Sequence, residues 1–247
     1  MKTGTLATQV AALVLAVAAT AAAQSDGEAY FNQGLTHMRE GRPGMALDDF
    51  KRAIKQDSKN AYFYKGLGVC YLQLGRAGDA ASALRKALQI NPYYVDVRND
   101  LGTALLMSGK REEGKAELLA AFNDPTNPSP ELSARNLGSA FLDEKRWGEA
   151  ANWFRSSLSR NPGLVDASLG LSDALMAQGR AEEAARAMEE ALKTTPDQPA
   201  LLVALGEAYY RVGRFHEARD KLEEAKLKDR TGVVSKKADA LLKQFDK

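Results

Sequence analysis

Small and large apolar residues recur along this chain on one long, fixed period. Gly34, Gly68, Gly102, Gly138, Ser172 and Gly206 are spaced by 34, 34, 36, 34 and 34 residues. Ala46, Ala80, Gly114, Ala150, Ala184 and Ala218 form a second series with the same spacings, and Ala53, Ala87, Ala121, Ser157, Ala191 and Ala225 a third. Large residues keep step. Leu67, Leu101, Leu137, Leu171 and Leu205 immediately precede members of the first series, with Gln33 the exception, and His37, Tyr71, Leu105, Phe141, Leu175 and Tyr209 follow it by three positions. Between the first two series stands Gly41, Gly75, Gly109, Gly179 or Gly213, with Lys145 replacing glycine once. The pattern predicts pairs of helices joined by a tight turn, where glycine permits positive φ and ends the first helix. Small residues at the crossings let backbones approach, and the large residues fill the gaps. One such pair cannot bury its apolar faces alone, so neighbours must stack.

A helix pair repeated every 34 residues resembles the tetratricopeptide repeat, and Pro92, Pro162 and Pro196 close three of the units. The expected fold is all-α: a right-handed superhelical solenoid of six helix-turn-helix repeats over 27–60, 61–94, 95–130, 131–164, 165–198 and 199–232. A helix over 233–247 is expected to cap it. There Val234, Ala238, Leu241, Leu242 and Phe245 share one helical face, and Lys236, Lys237, Asp239 and Lys243 the other, the pattern of a solvating end unit.

The stretch Asn123-Asp-Pro-Thr-Asn-Pro-Ser-Pro-Glu-Leu-Ser-Ala-Arg-Asn-Leu-Gly138 holds three of the chain's 8 prolines. The array resumes in register after it, two residues longer than elsewhere, as expected of an irregular turn inside one array and not of a domain boundary. With six repeats, an apolar leader and this proline-containing extension between the third repeat and Asn136-Leu137-Gly138, the chain resembles the type IV pilus pilotin family. That resemblance implies a protein at the inner face of the outer membrane that assists folding, localisation or multimerisation of the secretin ring by binding. The family's defining members carry a lipidated cysteine at the start of the mature chain. Ala23-Gln24-Ser25 stands there instead, so no lipid anchor is evident.

Residues 1–23 carry only Lys2 as a charge, with a mostly apolar run from Leu6 to Ala19 and a small-residue Ala21-Ala22-Ala23 site. They read as a signal peptide, followed by a short mature segment at 24–26, and predict an exported, periplasmic protein, peripheral to the outer membrane under the pilotin resemblance. The single cysteine, Cys70, excludes an internal disulfide, so packing alone must hold the chain. The 34 basic and 32 acidic residues are spread throughout, without the basic stripe of a nucleic-acid binder.

In such arrays the first helix of each repeat lines the concave face. The resemblance places the groove of repeats 1 and 2 at Phe31, Leu35, Met38, Arg39, Tyr62, Lys65, Val69, Leu72 and Gln73. The set is mostly apolar, and an exposed apolar patch with a polar rim marks a partner site. Leu35, Val69 and Leu72 have core packing as their alternative role; Phe31 and Tyr62 are the large residues at the groove's edge. Later repeats offer the more polar Asp96, Asn99, Arg135, Ser139, Asp166 and Asp173. The expected partner is a protein segment, a secretin subunit or another envelope protein, with a general periplasmic adaptor as the alternative reading.

Catalysis needs a nucleophile or an acid–base pair with an orienting group. His37 stands in an aromatic packing position, His216 in a surface turn, and Cys70 in a small buried position; Trp147 and Trp153 read as packing residues. Paired acids such as Glu182-Glu183 fit solvent faces. The expectation is a protein that is not an enzyme, with no cofactor, metal or small-molecule substrate.

Overall fold

In the computed structural model, residues 26–229, 232–243 and 245 are described; the leader expected at 1–23 lies outside them. Among these residues the chain is all helix and turn. The helices are α1 (26–39), α2 (Pro43–Gln56), α3 (Ala61–Gln73), α4 (Ala77–Ile90), α5 (Val95–Met107), α6 (Arg111–Asn123), α7 (Pro130–Asp143), α8 (Trp147–Arg160), α9 (Val165–Ala177), α10 (Ala181–Thr194), α11 (Pro199–Arg211), α12 (Phe215–Lys228) and α13 (Val233–Leu242). Pro43, Pro130 and Pro199 stand in first turns, where a missing N–H leaves no helical bond unmade.

Each helix pair closes with the same device. After α3, Gly75 takes φ 70°, its N–H donates to the Leu72 carbonyl at 3.0 Å, and the Arg76 N–H reaches back to the Tyr71 carbonyl at 2.8 Å. These two bonds satisfy carbonyls that the helix end leaves orphaned. The arginine then does two further things. Its guanidinium lies 4.6 Å from the Tyr71 ring centroid, and it pairs with Asp79 in the first turn of α4 at 2.6 Å. Arg146 over Phe141 with Glu149, and Arg214 over Tyr209 with Glu217, repeat the arrangement. In these three repeats the aromatic of the first helix thus packs the repeat and also seats the turn's cation.

Lys145 is the one described non-glycine residue at positive φ, 58°. A left-handed conformation costs an L-residue roughly 1–2 kcal/mol, and glycine's larger unfolded-state entropy cancels about 0.5–1 kcal/mol of the gain from removing that strain. Lys145→Gly is therefore expected to stabilise the protein by about 0.5–1 kcal/mol, read as a higher urea midpoint; an unchanged or lower midpoint would contradict it.

The described residues form two compact units, one ending at Glu117 and the other beginning at Leu118. The division falls inside α6, a break the periodicity does not announce; where helices touch mainly their near neighbours, contacts thin out between groups of helices. In the first unit α2 packs on α3, α3 on α4, α4 on α5, and α3 also reaches α5. In the second, α7 to α13 pack in sequence, with α7 on α9, α9 on α11 and α11 on α13. The three-proline stretch is interior to the second unit and tied by local bonds. The Asn127 side chain donates to the Ala121 carbonyl at 2.6 Å, the Thr126 N–H to Asp124 at 2.9 Å, and the Ser129 N–H to Asn127 at 2.9 Å.

The two cores share a motif. Phe50 of α2 is fully buried between Gly34 of α1 and Gly66 of α3, where a Cβ on either glycine would come within 2.9 Å of its ring. Phe154 of α8 is buried in the same way between Gly138 of α7 and Gly170 of α9. At the corresponding places Leu84 fills against Gly68 and Leu222 against Gly206. At the far end, Phe245 joins Tyr210 and Phe215 at ring separations of 4.9 and 6.2 Å.

Candidate partner-binding groove

On α1, Phe31, Leu35, Met38 and Arg39 fall at i, i+4, i+7 and i+8, one face of a helix. On α3, Tyr62, Lys65, Val69 and Gln73 fall at i, i+3, i+7 and i+11, again one face. The structure brings these eight residues around one open cavity of about 510 Å³ in the first unit. Leu72, the ninth residue placed there from sequence, is not in it. It packs half-buried against the core. Core packing is the alternative role named for it above.

Three lining residues escape sequence reasoning: Phe50, Gly66 and Tyr94. Phe50 belongs to a second helix, and its buried ring lies beneath the floor against Gly66, which has no side chain to separate them. A Cβ at Gly66 would lie 2.8 Å from Phe31 Cε2 and 2.9 Å from Phe50 Cε1. The one available signal was the doubled glycine Gly66-Leu67-Gly68. Tyr94 lies in the turn before α5, where no periodicity reports a side chain's direction. The floor is aromatic: Phe31 meets Phe50 at 5.6 Å and Phe63 at 5.2 Å between ring centroids. Tyr62, 59% exposed, leans on Tyr94 at 5.1 Å and forms the lip.

The polar groups gather at that lip. Lys65 Nζ lies 5.0 Å from the Tyr94 ring centroid and 3.5 Å from Asp96 Oδ2. Burial pushes the Asp100 carboxyl up to about 6 from its ordinary 3.8; Lys65 and a hydrogen bond with Asn99 oppose the rise, and Asp96 adds to it. Burial, with Tyr62 and the two carboxylates, pushes Tyr94 up to about 12. At the opposite end, Arg39 is exposed, and among the described residues no carboxylate comes within ion-pair range of it.

The other residues singled out from sequence fall elsewhere. Arg135 and Asp166 approach to 3.9 Å in the second unit, and the Ser139 hydroxyl donates to the Arg135 carbonyl at 3.2 Å. Asp173 lines a separate cavity of about 320 Å³ with Glu207 and Lys237, but Leu169, Met176 and Val203 line it too. Its wall is mixed, not the polar lining expected, because α13 brings Val233 and Val234 to it. Cys70 is buried, its Sγ 3.1 Å from the Pro43 carbonyl oxygen, and burial raises its pKa. His37 is more than a packing residue: its Nδ1 lies 2.8 Å from the buried Asp49 Oδ2, joining α1 to α2. His216 is exposed near Asp220 at 3.2 Å. Trp153 meets Phe122 edge-on at 5.2 Å.

A stack of such pairs with its first helices lining a groove defines a class of protein. Tetratricopeptide repeat family models match residues 9–61 and 31–95, and 75–134, 141–188 and 175–242. The chain belongs to the tetratricopeptide repeat family.

Among curated proteins, it is similar to the type IV pilus assembly protein PilF of Pseudomonas aeruginosa, 28% identical over 134 residues, which are 54% of this chain and 53% of PilF. It also matches a probable UDP-N-acetylglucosamine–peptide N-acetylglucosaminyltransferase, SPINDLY, of Hordeum vulgare, 28% identical over 142 residues, 55% of this chain but 15% of that protein. The chain thus spans about half, or much less, of the curated relatives it matches. Among solved structures it shares its fold with PilW, a widely conserved type IV pilus biogenesis factor, at TM-score 0.75 and 21% identity over 87% of this chain and 98% of that one. No described helix is long and apolar enough to cross a membrane.

Proposed function

We propose that this protein is an exported, non-catalytic scaffold of type IV pilus biogenesis that takes a segment of a secretin subunit into the groove between α1 and α3. The observation that carries the reading is the groove itself: a half-open cavity floored by Phe31 and Phe50, with Tyr62 exposed at its edge. Apolar surface of this kind gains free energy only when covered. The similarity to PilF and PilW supports the choice of machinery, and binding alone is sufficient for the role.

Crosslinking in the protein's own cells tests this. The wild type is expected to trap a secretin subunit. Phe31→Ala/Tyr62→Ala should reduce the yield at least tenfold, since paired aromatic anchors at a binding site are worth about 2 kcal/mol or more; circular dichroism checks that the variant stays folded. Trapping of other envelope proteins in place of secretin would replace the pilus role with that of a general periplasmic adaptor. Equal trapping by both forms would remove the groove from the binding site.

A further inference from the structure

Two charged residues line the groove between α1 and α3, and both are basic: Arg39 and Lys65. No carboxylate stands among the described residues that line it. The two cations differ in what answers them. Lys65 is half-buried at the lip, its ammonium 3.5 Å from Asp96 Oδ2 and 5.0 Å from the Tyr94 ring centroid, so its charge is met within the protein. Arg39, the last residue of α1, is exposed and meets no carboxylate among the described residues. Its guanidinium offers five N–H donors in a fixed fork that matches a carboxylate. Gln73, one repeat further on at the end of α3, lines the same cavity, and its amide adds two donors.

The register of the repeats shows that helix packing does not demand a cation at either place. Four repeats on, in the cavity lined by α9 and α11, Val203 takes the place of Lys65, and Ala177 that of Arg39. There Asp173 and Glu207 stand where the first groove has Leu35 and Val69. The first groove is thus apolar at its centre, and the one lining charge left unanswered is positive.

Resting on the groove reading above, we propose that the occupant is an apolar protein segment carrying an acidic side chain, which Arg39 binds with Gln73 beside it while the apolar side chains cover Phe31 and Val69. A carboxylate on this guanidinium makes a charge-assisted pair, stronger than a neutral hydrogen bond. A basic segment would bring like charge to a cation with nothing to offset it.

The test uses the full chain and three synthetic leucine-rich peptides with both termini blocked, identical except for one residue: Glu, Gln or Lys. Fluorescence anisotropy at low ionic strength should rank them in that order, with the Glu peptide about fivefold tighter than the Gln peptide, as expected of a part-exposed ion pair. Arg39→Gln, a change at an exposed position, should bind the Glu and Gln peptides equally, whereas Lys65→Gln should keep the ranking. The reverse pattern in those two variants would overturn Arg39 as the seat of the acid. A Gln peptide with a free C-terminus should gain nothing over its blocked form; a gain equal to that of Glu would overturn the side-chain assignment in favour of a chain end. Equal binding of the three blocked peptides, still lost in Phe31→Ala/Tyr62→Ala, would overturn the acidic occupant and leave the groove reading standing. Binding of none of them in a manner sensitive to that double variant would overturn both.

Discussion

Gly170→Ala is expected to destabilise the protein by about 2 kcal/mol, an overpacking cost reduced by alanine's better helix propensity of about 1 kcal/mol. A Cβ at Gly170 would fall inside the envelope of Phe154 Cζ, with Cε1 at 2.6 Å and Cε2 at 2.7 Å. The ring cannot retreat. It is 1% exposed, and its other edge rests on Gly138, whose own Cβ would lie 2.8 Å away. In a chain of this size the loss corresponds to a Tm lower by roughly 4–8 °C, measurable by calorimetry. The same contact predicts a rescue. Elsewhere the ring's place is taken by Leu84, and the place of Gly170 by Asp100, so a smaller second-helix side chain accompanies a larger first-helix one. Phe154→Leu in the Gly170→Ala background should recover part of the lost stability, although Phe154→Leu alone is destabilising. Additive losses in that cycle would mean the two residues are not coupled.

Asp100→Asn is expected to stabilise the protein near pH 7.5 and to leave it almost unchanged near pH 4. The carboxyl sits at the inter-helix place that Gly66 and Gly170 occupy in other repeats, and burial there raises it to about 6. A raised acid holds its proton in the folded state after the unfolded chain has released its own. Between the unfolded value near 4 and the folded value near 6, the native state therefore binds more protons, and stability falls as pH rises through that window. Two units correspond to about 2–3 kcal/mol, less what Lys65 forfeits when its neighbour becomes neutral. Urea unfolding of both proteins at pH 4.5 and 7.5 reads the effect: the difference between them should widen in the variant's favour at the higher pH. A difference that does not change with pH would show that Asp100 is not the strained group.

These two predictions rest on features that were invisible in the one-dimensional pattern, and the reason is the same for both. Gly66 and Gly170 lie two residues before members of the 34-residue series, so they read as spare small residues in helices already rich in them. Their purpose appears only when a phenylalanine from the preceding helix is seen to enter the space. Asp100 reads as one more acid on α5 until the same crossing buries it.

Local periodicity was enough for much else. The turn glycines, the lengths of the helices, and the common face of Phe31, Leu35, Met38 and Arg39 all follow from bonds and angles within a few residues, and a helix repeats its facing every 3.6 residues whatever it packs against. Which shared face lines a groove was implied by the family resemblance, and eight of the nine residues it placed there surround one cavity. What only the tertiary structure decided depends on a partner on another helix or turn: that Leu72 packs on the core, that Phe50, Gly66 and Tyr94 complete the groove, that His37 meets Asp49, and that Lys65 meets Asp96. A sequence states which residues share a face of one helix; which face of the next helix they meet is set by packing, through close contacts whose fit depends on single methyl groups.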